Sequence, residues 1–255
     1  MSEERGPGSL GERSVTPGHP WGPVEVFDRL GSTNDEVRAR PQLWRVVVAE
    51  RQDAGRGRLG RAWTTTPGTS LAVSVLVPPS ASGPSWVPLF TGLAVHRAVS
   101  EVAGVATALK WPNDVLVPAD DDRKLAGILC EWTADGVVAG LGLNVDTARV
   151  DLPLDAATSL RAVGAPGVDR AELLTAYLVH LAGILRHDTG AGGTAQAAYV
   201  AACATVGREV EVREPGGGVR SGVATGVDDA GRLTLRSARG SDAVSAGDVV
   251  HVRSR

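Results

Sequence analysis

The sequence has few cysteines, no strong net charge and no long apolar run, and each of these shortages excludes a class of protein. Its 255 residues include two cysteines, Cys130 and Cys203, which are too few for a disulfide framework. Both lie in apolar stretches, which favours buried free thiols. The formal net charge of -3 gives no overall field that would attract nucleic acid or a membrane surface. No apolar run approaches the roughly 20 residues of a membrane span, and the start shows no signal-peptide pattern, so we expect a cytoplasmic protein.

Composition divides the chain into three parts. Residues 1–22 are rich in glycine, proline, serine and charged residues, and we expect this tail to be disordered. Residues 23–204 mix helical and strand patterns, which predicts an α+β domain built on a mixed sheet. Residues 205–255 contain short alternating runs between glycine-rich turns, which predicts a small β-barrel.

Several local patterns locate helices and strands within the larger domain. In "VEVFDRLGSTNDEVRAR", Ser32 and Asp35 have capping-box spacing, which predicts a helix after a strand and a turn. A second predicted helix ends at Gly104, and a third is predicted to begin after an N-cap at Asp169. The segments "RKLAGILCEW" and "GVVAGLGLNV" flank an Asp-Gly turn, which predicts two antiparallel strands.

The segment "AGRGRLGRAW" is the best candidate for an anion-binding loop. Arg56, Arg58 and Arg61 alternate with glycines, whose backbone N–H groups can wrap an anion while the arginines form charge-assisted hydrogen bonds. Trp63 closes the segment with a flat apolar face on which a ring could stack. A solvated surface loop and a nucleic-acid-binding segment are the alternatives, and the acidic net charge argues against the second.

Four further motifs carry weaker signals. Asn113 and Asp114 follow a proline turn, where such residues are ordinary. Lys124 precedes an apolar strand, a position at which a lysine is usually on the surface, while Gly127 inside that strand would let another group approach closely. Asn144 ends the glycine-interrupted run "GLGLNV". The helix start in "GSTND" offers N–H groups and hydroxyls to a polar ligand.

Taken together and in order, these motifs resemble those of the biotin protein ligases. The motifs "GSTND", "ERQDAGRGRLGRAW", "KWPNDVLV", "RKLAGILCE" and "GLGLNV" cover residues 24–145, and the small barrel covers the ending. The resemblance implies a mixed-sheet catalytic domain of the biotin/lipoyl ligase type followed by a small SH3-like barrel. It also implies that biotin and ATP form biotinyl-5′-AMP, and that the biotinyl group then passes to a lysine of a biotin carboxyl carrier domain of an acyl-CoA carboxylase.

The resemblance also implies roles for individual residues. The residues implied to bind biotin are Ser32, Thr33, Asn34, Gln52, Arg56, Gly57, Arg58, Lys124 and Gly127. Those implied to bind ATP or the adenylate are Arg58, Arg61, Trp63, Asn113, Asp114 and Asn144, with Trp63 on the adenine side. Lys124, Arg58 and Arg56 are the implied catalytic residues, because two anions must be neutralised when a carboxylate attacks the α-phosphate. Mg²⁺ is expected to arrive with ATP, and the sequence does not identify metal ligands.

The glycines and arginines of the loop suggest that it opens for substrates and closes over a water-sensitive adenylate. Some family members carry an N-terminal winged helix that binds DNA, whereas only about 23 residues precede "VEVFDRLGSTND" here. We therefore expect no specific DNA binding. Lipoate ligases and octanoyltransferases are the nearest enzyme alternatives, and a non-catalytic biotin-sensing or nucleic-acid-binding protein is another. No purpose can be assigned from the sequence to the acidic stretch at residues 119–122.

Overall fold

The computed structural model describes Leu10 and residues 15–238 and 240–252. Its larger domain is built on a seven-stranded sheet with the strand order β1-β2-β3-β7-β6-β5-β4. The β1–β2 pair is parallel and the other neighbouring pairs are antiparallel, so the sheet is mixed as predicted. The strands are β1 (Val24–Leu30), β2 (Val46–Gln52), β3 (Ser70–Val77), β4 (Ala108–Lys110), β5 (Asp114–Val117), β6 (Arg123–Thr133) and β7 (Gly136–Asn144).

Four α-helices complete the described part of this domain: α1 (Thr33–Ala39), α2 (Trp86–Ala103), α3 (Arg170–Arg186) and α4 (Thr194–Ala202). The helices α2 and α3 pack against each other and, with one face of the sheet, enclose the main hydrophobic core. The short helix α1 lies on the opposite face, where Val37 packs with Val47, Leu76 and Val138 in a smaller cluster. The second face therefore has room for a functional site beside α1.

The predicted helix boundaries agree with the structure, with one difference in capping. The side chain of Asp169 accepts a hydrogen bond from Ala171 N at the start of α3, and α2 ends at Gly104, which adopts the left-handed conformation with φ 63°. Helix α1 follows Ser32 as expected, yet the Ser32 side chain makes no capping hydrogen bond. The N–H of Thr33 instead donates to Gln52 Oε1 at 2.9 Å. A side chain from β2 therefore accepts a hydrogen bond at the N-terminus of this helix.

The C-terminal strands form a separate antiparallel sheet with the order β11-β10-β9-β8-β12. They are β8 (Glu209–Arg213), β9 (Val219–Val227), β10 (Leu233–Ser237), β11 (Gly240–Val244) and β12 (Asp248–His251). The sequence patterns missed β11, because its residues are polar and mostly exposed. Two buried indoles join the domains: Trp86 Nε1 donates to Asp229 O at 2.9 Å and Trp111 Nε1 to Gly231 O at 3.0 Å.

The segment predicted to be disordered packs on the domain where it is described. Residues 1–9 and 11–14 lie outside the described residues. Trp21, however, is buried, donates a hydrogen bond to Leu178 O at 2.8 Å and meets the ring of Trp44 edge-on at 5.0 Å between centroids. Residues 15–22 therefore differ from the expectation, because a buried indole with a satisfied N–H outweighs the polar composition around it.

The acidic stretch at residues 119–122 anchors arginines. Asp120 pairs with Arg123 and Arg149, and Asp122 pairs with Arg208 of the second domain at 2.6 Å. This turn therefore ties the two domains together. Both cysteines are free, with Cys203 buried and Cys130 partly buried. Within the described residues, no helix is both long and apolar enough for a membrane crossing.

Candidate active site

A cavity of about 440 Å³ opens on the α1 face of the large sheet. The alternation of side chains explains the position of the cavity, because every second residue of a strand points to the same face of the sheet. Gly140 of β7 aligns with Ser74 of β3 and Leu129 of β6 on this face, while the intervening residues enter the main core. The cavity is lined by all the residues that the sequence singled out as ligand contacts: Ser32, Thr33, Asn34, Gln52, Arg56, Gly57, Arg58, Arg61, Trp63, Asn113, Asp114, Lys124, Gly127 and Asn144.

One end of the cavity is lined by uncharged polar side chains at the start of α1, which the Glu131 carboxylate supports from outside the lining. Gln52 Oε1 accepts hydrogen bonds from Thr33 N at 2.9 Å and Thr33 Oγ1 at 3.1 Å. Asn34 Nδ2 donates to Glu131 Oε2 at 2.6 Å, and Asn34 Oδ1 accepts from Ser74 Oγ at 2.6 Å. Because these groups are mutually bonded and nearly buried, their orientation is fixed before a ligand arrives. Such an end suits a small polar ring with both N–H and C=O groups.

Glycines in β6 and β7 make room for the side chains of the site. A Cβ at Gly140 would stand 2.2 Å from Asn34 Oδ1, and one at Gly142 would stand 2.1 Å from Trp63 Cε2. A Cβ at Gly127 would stand 2.9 Å from Lys124 Nζ. The close approach expected at these strand glycines is therefore made by neighbouring side chains of the protein.

The opposite end of the cavity carries the positive charge. Lys124 Nζ lies 2.6 Å from Asp114 Oδ1 and 5.6 Å from the centroid of the Trp63 ring. The backbone of Lys124 is fixed on both sides, since its N–H donates to Ala156 O and its C=O accepts from Thr158 N, each at 2.8 Å. Lys124, which the sequence singled out, is thus a cation that lines the cavity and pairs with Asp114, and not a free surface group.

The arginines of the glycine-rich loop reach three different elements. Arg56 forms a two-pronged ion pair with Asp35 of α1, with both N–O distances 2.7 Å. Its guanidinium, through this hydrogen bond, lowers the pKa of the Asp35 carboxyl. Arg56 therefore pairs with α1 while also lining the cavity, and its implied contact with a carboxylate and phosphate stays a prediction. The Asp35 carboxylate is a matching acceptor for the planar guanidinium.

Arg58 and Arg61 connect the loop to the rest of the molecule. Arg58 donates to Asn113 Oδ1 at 3.0 Å and to Gly247 O of the C-terminal domain at 3.3 Å. Burial of its guanidinium lowers the pKa of Arg58. Arg61 forms an ion pair with Asp248, also in the C-terminal domain. The loop is consequently held between the two domains, with Arg58 as its most buried arginine.

The side chains of Trp63, Asn113 and Asn144 contact other parts of the protein in this structure. The Trp63 ring lies over Gly142 and Gly127 beside Lys124, and its buried Nε1 has no hydrogen-bond partner among the described residues. Asn113 Nδ2 donates to Ile128 O at 3.1 Å, and Asn144 Nδ2 donates to Thr158 O at 2.9 Å. These amides fix the loops around the cavity, and their predicted contacts with a nucleotide stay predictions.

Comparison with known proteins agrees with this geometry. Residues 26–147 match the Biotin/lipoate A/B protein ligase family, and residues 205–252 match the Biotin protein ligase C terminal domain. A biotin–[acetyl-CoA-carboxylase] ligase of Mycobacterium tuberculosis is 39% identical over 96% of this chain and 95% of its own. The chain belongs to the biotin protein ligase family.

Further relatives of this biotin protein ligase agree in sequence and in fold. A biotin–[acetyl-CoA-carboxylase] ligase of Paracoccus denitrificans is 31% identical over 88% of this chain and 98% of its own. A biotin protein ligase from Aquifex aeolicus, solved in complex with biotin and ATP, superposes with a TM-score of 0.78 at 26% identity, covering 91% of this chain and 99% of that one. These matches confirm the predicted fold class, a mixed-sheet catalytic domain followed by a small C-terminal domain of the expected barrel type.

Sequence reasoning on this ligase missed residues that hold the site from outside its motifs. Ser74 and Glu131 lie in strands and orient Asn34, while Asp35 and Asp248 pair with loop arginines. Asp35 is the last residue of the "GSTND" motif, and the many arginines of the loop were a signal that a carboxylate of this kind would pair with one of them. Nothing in the sequence connects Asp248 with Arg61, because 187 positions separate them.

Proposed function

We propose that this protein joins biotin to a lysine of a biotin carboxyl carrier domain of an acyl-CoA carboxylase in two steps. A carboxylate oxygen of biotin first bonds to the α-phosphorus of ATP, and pyrophosphate leaves with the bonding electrons. The carrier lysine amine then attacks the acyl carbon of biotinyl-5′-AMP, and AMP leaves. The observation that carries this proposal is one cavity with a rigid neutral polar end and a cationic end.

The neutral end suits the fused ring of biotin. Thr33, Asn34 and Gln52 present hydroxyl and amide groups that can both donate and accept, and Ser32 stands beside them in the lining. A neutral ureido group, which has both N–H and C=O groups, needs partners of this kind. These residues therefore select the head of biotin.

The cationic end suits the carboxylate and the α-phosphate. Lys124 stands above Gly127 and beside Asp114, where its ammonium group can neutralise both anions as they meet. Arg58, already part-buried beside Asn113, adds a second charge. On this proposal, Gly57 and Arg56 complete the loop over the carboxylate, while the adenylate lies along Arg61, Trp63, Asn113, Asp114 and Asn144.

Mg²⁺ enters in this proposal as part of the substrate, bound to the phosphates of ATP. Magnesium bound in this way needs only one or two protein carboxylates. Within the described residues, no group of three or more His, Cys, Asp and Glu side chains is placed to hold a metal ion. Asp114, in the cavity lining, is a carboxylate of the right chemistry for such a contact.

The proposal places the protein in the cytoplasm, where ATP is abundant and free cysteines stay reduced. It also assigns the protein no sequence-specific role on DNA. Lipoate is the alternative substrate, because the matching family includes lipoate ligases by its description. The donors and acceptors around Asn34 and Gln52 favour biotin, since the dithiolane ring of lipoate has no N–H or C=O for them.

The experiment that tests the proposal is mass spectrometry of a purified carboxyl carrier domain after incubation with the protein, Mg²⁺-ATP and either biotin or lipoate. We expect the mass of one biotinyl group to be added with biotin and none with lipoate. The Lys124→Ala variant and a carrier domain with its acceptor lysine changed to arginine are the controls. Modification by lipoate, or no modification with either acid, would contradict the proposal.

A further inference from the structure

Strand β3 carries one polar residue, Ser74, inside its apolar run from Leu71 to Val77. Ser74 is fully buried and does not line the cavity. Its hydroxyl lies beneath the neutral end of the cavity, where Oγ stands 2.6 Å from Thr33 Oγ1 and 2.6 Å from Asn34 Oδ1. A buried hydroxyl costs free energy unless its hydrogen bonds are made, so these two contacts decide what Ser74 does.

The direction of the hydrogen bond between Ser74 and Asn34 is set from the other side of the Asn34 amide. Asn34 Nδ2 donates to Glu131 Oε2 at 2.6 Å and to Leu129 O at 3.3 Å. An ionised carboxylate and a carbonyl oxygen can only accept, so the amide nitrogen faces them and Asn34 Oδ1 faces Ser74. Because Asn34 Oδ1 can also only accept, the single hydroxyl proton of Ser74 is placed on it.

The hydroxyl proton of Thr33 has two acceptors within reach. Gln52 Oε1 lies 3.1 Å from Thr33 Oγ1 and already accepts from the Thr33 N–H. Ser74 Oγ lies closer, at 2.6 Å, and has given its own proton to Asn34. When Thr33 donates to Ser74, the Thr33 oxygen offers only lone pairs to the cavity. Hydrogen bonds in a chain polarise one another, so a chain that ends on the Glu131 carboxylate strengthens Thr33 Oγ1 as an acceptor.

We propose that Ser74 is a positioning residue that makes the site select a ring N–H in its ligand. This inference rests on the proposed function. Ser74 accepts the proton of Thr33 when biotin binds, so that Thr33 Oγ1 accepts from a ureido N–H and has no proton to offer. A ring oxygen at the same place would bring two acceptors together with no proton between them, and a site built to hydrogen-bond an N–H rejects such an analogue strongly. Ser74 therefore sets specificity without touching the ligand.

The test compares biotin with its two cyclic carbamate analogues, in which one or the other ring N–H is replaced by oxygen. Pyrophosphate release during adenylate formation gives kcat/KM for each acid. We expect the wild-type protein to prefer biotin at least about a hundredfold over the analogue whose oxygen faces Thr33. In Ser74→Ala the Thr33 hydroxyl can turn its proton to the ring oxygen, so this preference should fall at least about tenfold. The KM for ATP should be unchanged, and Ser74→Cys, with a weaker donor and acceptor, should give an intermediate preference.

Thr91→Val is the matched control, because the Thr91 hydroxyl is equally buried and donates to Val87 O within α2. It should leave the preference for biotin unchanged. Thermal melting checks the folding of every variant, and Ser74→Cys decides the test if Ser74→Ala does not fold.

Equal losses of kcat/KM for biotin and the analogue in Ser74→Ala would show that Ser74 only fills space, and the inference would be overturned. An unchanged preference in Ser74→Ala, or equal use of biotin and both analogues by the wild type, would also overturn it. Wild-type protein that forms no biotinyl-AMP would instead overturn the proposed function, and the inference with it.

Discussion

The indole of Trp63 lies directly on Gly142 of β7, where a Cβ would stand 2.1 Å from Trp63 Cε2. Glycine is needed at this position because the indole leaves no space for a Cβ, and not because the strand backbone requires it. The same relationship joins Gly140 to Asn34. The glycines of "GLGLNV" therefore leave the space that two side chains from distant parts of the sequence, Asn34 and Trp63, occupy in the site.

Gly142→Ala should move Trp63 away from Lys124 and slow biotinyl-AMP synthesis by at least about tenfold, since misplacing a group near the reacting atoms by about 1 Å is costly. The rate of synthesis is measured in the wild-type and Trp63→Ala backgrounds. The added cost of Gly142→Ala should vanish in the Trp63→Ala background, where no indole occupies the space. Gly226→Ala is the control, because the nearest atom to its new Cβ would lie at an ordinary 3.5 Å. Equal losses from Gly142→Ala in the two backgrounds would show that the contact with Trp63 is not the cause.

Lys124→Ala should reduce biotinyl-AMP synthesis by about a hundredfold or more, the effect of losing a charge contact made mainly in the transition state. Release of pyrophosphate in single-turnover experiments measures the loss. Because the Lys124 side chain is about one-third exposed, the melting temperature should change little. A variant that forms biotinyl-AMP at nearly the wild-type rate would remove Lys124 from the catalytic residues.

Much of the fold was predictable because local signals agreed with one another, whereas the residues of the cavity followed from the resemblance of the ordered motifs to a known family. Hydrophobic spacing gave α3, the Asp-Gly turn gave the β6–β7 pair, and the ordered motifs gathered at one cavity. The partners of the loop were not predictable, because Asp248 and Gly247 reach the loop only through the docking of a separate domain. The pairing of Arg56 with Asp35 was not predictable for a related reason: it depends on the position of α1 over the sheet.

A pH effect should arise at His251, which lies between the domains. Arg208 donates to His251 Nδ1 at 3.0 Å, and Thr205 Oγ1 lies 3.1 Å from Nε2. Burial, with the nearby charges of Lys110 and Arg208, lowers the pKa of His251 to about 4 from an ordinary 6.5. The unfolded chain therefore binds a proton more readily, so this contribution to folding stability is complete above pH 6.5 and is lost as the pH falls towards 4.

Urea unfolding at about pH 7.5 and about pH 5 measures this effect. Between these pH values, the free energy of unfolding should fall by about 1 kcal/mol more in the wild-type protein than in His251→Gln, a figure that allows for the partial exposure of the ring. Titration of the carboxylates cancels in this comparison, because both proteins contain them. The same loss of stability in the two proteins would contradict the assignment to His251.

The protein should show no sequence-specific binding to duplex DNA. Its net charge is -3, and Arg56 and Arg61 of the loop are neutralised by Asp35 and Asp248. Any residual affinity should come from contacts with phosphates and should fall steeply with added salt. Footprinting on genomic fragments at physiological salt measures this, and a protected sequence that is bound in preference to random duplex would contradict the prediction.

Arg58→Gly should release the intermediate more than it prevents its formation. Arg58 ties the loop to Asn113 and to Gly247 O, and losing such charge-assisted hydrogen bonds costs about 1.5–3 kcal/mol. The glycine also adds flexibility beside Gly57, so the loop should spend less time closed. Lys124 would still neutralise the reacting anions, and biotinyl-AMP should therefore escape about tenfold to a hundredfold faster and react with any exposed lysine.

The measurement is biotin labelling of an unrelated lysine-rich protein in the presence of ATP and biotin, compared between wild type and Arg58→Gly. Arg51→Gly is the matched control, because Arg51 is mostly exposed and pairs with Asp53 outside the cavity; its labelling of the bystander should equal that of wild type. If Arg58→Gly makes biotinyl-AMP but labels the bystander no more than wild type does, the loop is not the gate that retains the intermediate. Retention would then depend on contacts deeper in the cavity, at the neutral end that holds the biotin ring.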